Sequence, residues 1–152
     1  FPVALTRHFL FGTWHLEMLK SLSAHDDAEI SAIAQKSVKE VTYHRERSTD
    51  TVIALGDGTE ESNKRMQGAL DRLFPYIGEM FDNDDCDLTD MAALRSAFDV
   101  HLSATLDDAM LTLPQSDFFH QGGKTGVRHT EHLGHMLATM QSLPRSYPDA
   151  KW

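Results

Sequence analysis

Apolar residues recur along this chain at steps of three and four and do not alternate with polar ones over a strand's length, which predicts helices throughout. The first segment, Pro2 to Leu22, carries Leu5, Phe9, Leu10, Phe11, Trp14, Leu16, Met18, Leu19 and Leu22, apolar around nearly its whole circumference. A helix of that kind needs cover on several sides, so it is predicted to be central. Asp26 or Asp27 can cap a second helix, whose inward stripe reads Ile30, Ile33, Ala34, Ser37, Val41, His44, Ser48 and Val52 and which ends at Gly56-Asp57-Gly58. Thr59 can cap a third, with Glu60 and Glu61 set against the positive end of its dipole and Met66, Ala69, Leu70, Leu73, Ile77, Met80 and Phe81 facing inward. Pro75 should bend that helix. A fourth starts near Thr89, turns Met91, Leu94, Phe98, Leu102, Leu106 and Ala109 inward, and is stopped by Pro114. After a loop to about Val127, a last helix points Leu133, Met136, Leu137 and Met140 inward. Helices joined by short turns predict an all-α bundle of up-and-down type.

The bulk numbers narrow the class. With 152 residues the chain has room for one core, so residues 1–152 are expected to form a single helical domain. No apolar run approaches the roughly 20 residues that span a bilayer, which argues against membrane insertion. Acids outnumber bases by 23 to 14, the wrong balance for a nucleic-acid surface. A lone cysteine, Cys86, has no partner for an internal disulfide and points to a reducing, cytoplasmic setting.

Several motifs invite chemistry and most fail on spacing. Asp82-Asn83-Asp84-Asp85-Cys86-Asp87 begins like a calcium loop but lacks the glycine at its sixth position and the glutamate at its twelfth. Gly123-Lys124-Thr125 ends like a phosphate loop, yet Phe118 stands where the first glycine belongs and no strand precedes it. What survives is a weaker anion contact, in which backbone N–H groups of the loop, Lys124 and Arg128 touch a phosphate-bearing tail. His129, His132 and His135 lie at i, i+3 and i+6 beside Glu131 and offer a marginal zinc or nickel site. The plainer role for His129, Thr130 and Glu131 is to cap the last helix and tie the loop to the bundle. On the second helix, Glu40 and His44 form the one carboxylate–imidazole pair that a bundle-type metal site could use.

The run Gly122-Gly123-Lys124-Thr125-Gly126 followed by His129-Thr130-Glu131-His132-Leu133-Gly134 and Met136-Leu137 resembles the signature of the C subunits of bacterial ring-1,2-phenylacetyl-CoA epoxidases. That resemblance implies a ferritin-like helical bundle, matched over roughly its C-terminal three-fifths, so that the chain, which opens on Phe1-Pro2, is expected to be a fragment lacking upstream helices. Lys39 to Arg45 is in turn similar to the last metal-binding helix of the catalytic A subunit of those enzymes, where a glutamate stands three residues before the histidine. With His44 on that histidine, the ligand position falls on Val41, and an aliphatic side chain cannot coordinate iron. Glu40 lies one residue away, about 100° around the helix. In the first helix, Gly12 falls where the A subunit has an acid, which leaves Glu17 as its only carboxylate.

The resemblance therefore implies a non-catalytic, structural subunit that binds the diiron A subunit, with no catalytic residue, metal or other cofactor of its own and with coenzyme A as the phosphate-bearing tail that Lys124 and Arg128 would meet. Two alternatives stay open: a metal-dependent diiron oxidase in its own right, built on Glu40 and His44, and a generic helical adaptor. Because the first helix is apolar nearly all round, the chain by itself is also expected to self-associate.

Overall fold

The structure is a computed structural model that describes residues 1–83, 89–124 and 126–151. Helices are the only regular elements among them: α1 (Pro2–Leu22), α2 (Ala28–Gly56), α3 (Glu60–Leu73), α4 (Met91–Asp108), α5 (Glu131–Met140) and α6 (Ser142–Ser146). The chain divides into two compact units, Phe1–His120 and Gln121–Trp152.

In the first unit the helix starts follow local chemistry. Pro2 sits in the opening turn of α1, where its missing N–H costs nothing. Asp27 caps α2 by accepting from the backbone N–H groups of Glu29 and Ile30, and Asp90 does the same for Ala92 and Ala93 of α4. Thr59 and Ser62 form a reciprocal capping box on α3.

α1 is central, as predicted, and packs on α2, α3 and α4. One core cluster gathers Phe9 and Leu10 of α1 with Val52, Met66, Leu70, Phe98, Leu102 and Leu106; a second joins Leu16 and Leu19 to Ala34 and Val41 of α2. All six residues predicted for the inward face of α4 are buried. At the far end α2 and α4 touch through backbone: a Cβ on Gly56 would lie 2.3 Å from the Ala109 carbonyl oxygen, so only glycine permits the approach. Asn63 bridges the same corner by donating to the carbonyls of Gly56 and Met110.

Four expectations are corrected. Ile33 is 66% exposed rather than inward, because α2 turns Ala34 and Val38 to α1 at that level. Pro75 does more than bend α3: the α-helix ends at Leu73 and the chain runs on through two 3-10 turns, Phe74–Tyr76 and Gly78–Phe81. α4 stops at Asp108, six residues short of Pro114. Met110 adopts a left-handed conformation with φ of 53°, and Leu111 and Met110 donate back to the carbonyls of Leu106 and Asp107, closing a Schellman turn without glycine.

The fourth correction concerns the second unit. α5 buries none of its residues, and Met136, Leu137 and Met140 are 51%, 37% and 67% exposed. The period that predicts an inward face for it is present, but the second unit supplies no side chain that covers that face.

Candidate functional site

α2 carries the residues on which a metal-based function would depend. Val41 is buried with Leu16, Leu19 and Ala34. Glu40 and His44 stand off to the side of this cluster, with His44 Nε2 3.1 Å from Glu40 Oε1 and side-chain exposures of 44% for His44 and 73% for Glu40. His44, expected on the inward stripe, thus lies at the margin of the α1–α2 contact, its ring 5.6 Å from that of His8. His15 borders the same margin; partial burial, then the charge of His44, hold its imidazole below the ordinary value.

The polar interior is built from residues that the sequence pattern does not single out together. Glu17 of α1 accepts from Arg45 Nη1 of α2 at 2.9 Å and from Lys20 Nζ at 2.8 Å. Both Glu17 and Arg45 are largely buried, at 15% and 17% side-chain exposure, and Arg45 Nε is buried without an acceptor. One turn further along α2, Thr49 meets His101 of α4, Oγ1 to Nε2 at 3.1 Å. Burial above all, and then the nearby Arg45 guanidinium, lower the pKa of His101, so its neutral imidazole is favoured. Glu17, the one carboxylate that the sequence offers on α1, is therefore already committed to two cations. A ligand carboxylate would have to give up both. Arg45 and His101 carry no signal as site residues in the sequence, since each lies beside an apolar stripe and gains its partner only through helix packing.

Gly12 is buried, and a Cβ there would meet no atom within 4 Å. The glycine-rich loop lies in the second unit. Gly122 and Gly126 have φ of +89° and +75°, the left-handed region that glycine enters without strain. The N–H groups of Val127 and Arg128 both donate to the Gly122 carbonyl at 2.9 Å, and that of Gly126 to Gly123. Those three donors, which an anion contact would recruit beside Lys124 and Arg128, are spent on closing the turn. Thr125 of the GKT run, and Asp84 to Asp87 of the acidic turn with Cys86, lie outside the described residues. His129, His132 and His135 are all exposed. Thr130 occupies the N-cap position of α5 but makes no side-chain cap hydrogen bond, which corrects the capping expectation. Among the described residues, no three His, Cys, Asp or Glu side chains are grouped so as to hold one ion. Among them also, no helix is long and apolar enough to cross a membrane.

Comparison with known proteins decides the family. The family model described as phenylacetic acid catabolic protein matches residues 1–152. The chain belongs to that family. This family member is 35% identical, over 160 aligned positions, to the C subunit of the 1,2-phenylacetyl-CoA epoxidase of Escherichia coli (strain K12). The alignment takes in 100% of the chain and 64% of that relative, so the chain spans less than two thirds of the relative's length. Family membership and an all-helical fold together give the ferritin-like bundle that the resemblance implies.

Proposed function

We propose that this chain serves as the structural C subunit of a phenylacetyl-CoA ring epoxidase, holding the diiron catalytic subunit while contributing no metal ligand itself. The reading rests on the likeness to the Escherichia coli protein. Val41 supports the non-catalytic part: at the register where the catalytic subunit's helix needs a carboxylate, an aliphatic side chain is packed into the core beside Leu16 and Leu19. The Glu17–Arg45 ion pair supports it as well, since the guanidinium supplies in the interior the positive charge that balances the carboxylate. Aerobic phenylacetate breakdown would then be the pathway served, with oxygen activation and iron residing in the partner, inside the cytoplasm.

The test is co-expression with a diiron catalytic subunit of such an epoxidase. The expected result is a stable complex that survives size-exclusion chromatography, with iron that follows the catalytic subunit. Two results would overturn the proposal: no association at micromolar concentration, or near-stoichiometric iron in this chain purified alone. The second would favour an oxidase built on Glu40 and His44.

A further inference from the structure

We draw no further inference here: the strongest candidate, the side-chain cluster of Glu17, Arg45, Thr49 and His101 where α1, α2 and α4 meet, belongs to the site already described, and the lowered pKa of His101 carries nothing by itself.

Discussion

The two units of this chain read alike in sequence and differ in what surrounds their apolar faces. α4 and α5 both place hydrophobic residues at helical spacing, yet α4 buries Leu94, Phe98, Leu102 and Leu106 while α5 buries nothing. Every buried hydrophobic side chain among the described residues lies in residues 1–120. The difference teaches that periodicity specifies which face of a helix is available for burial, and that a neighbour of matching shape specifies whether burial happens. α4 has α1, α2 and the 3-10 turn at Gly78–Phe81 as neighbours. For α5 the face is specified and its cover is not.

Matched truncations give the most direct way to break this comparison. Phe98 is fully buried and packs edge-on against Phe81 with ring centres 5.1 Å apart. Phe98→Ala is expected to cost about 4 kcal/mol of unfolding free energy in urea titrations. Met140→Ala, at a side chain that is 67% exposed, should stay within about 0.5 kcal/mol. Comparable losses from both would show that α5 is as firmly packed as α4. The next effect is steric. Gly56→Ala forces its Cβ against backbone of Ala109, and separation of α2 from α4 at that corner should cost about 2 kcal/mol, read in the same titration.

A smaller change runs the other way. Met110 holds a left-handed conformation and is 70% exposed, so it contributes little packing. Met110→Gly relieves about 1–2 kcal/mol of backbone strain and incurs about 0.5–1 kcal/mol of chain entropy, for a net gain of about 0.5–1 kcal/mol. A lowered melting temperature would mean that the Met110 side chain is held by a contact of its own.

The smallest expected effect is in pH. The folded-state pKa of His101 lies below the ordinary 6.5, so below about that pH the unfolded chain binds the proton more readily. Stability from this residue is therefore full above 6.5 and is lost as pH falls from there toward the lowered folded value. His101→Gln should flatten the stability–pH curve over that interval, and an unchanged slope would exclude His101 as its source.

Much of the first unit was legible without coordinates, because its determinants are local. Pro2, Asp27 and Thr59 satisfy or spare the free N–H groups of helix starts within three residues of themselves, and the α4 stripe follows from a period of 3.6. Val41 as a residue without a lone pair to offer is likewise a fact of sequence. The ending of α4 at Met110 was not legible, since a left-handed methionine has no compositional sign and is held by the Schellman turn around it. The site differed again. Glu17, Arg45, Thr49 and His101 sit on three helices, and only the packing of α1 and α4 on α2 brings a carboxylate, a guanidinium and an imidazole within reach of one another.

The sequence by itself determined the starts of α1, α2 and α3, the inward face of α4 and the absence of an oxygen donor at position 41, because each depends on residues a few turns or less apart. Tertiary structure alone decided that Glu17 is neutralised by Arg45 and that Gly56 must remain bare. Those outcomes depend on distances between segments far apart in the chain, which close packing sets and local propensity does not encode.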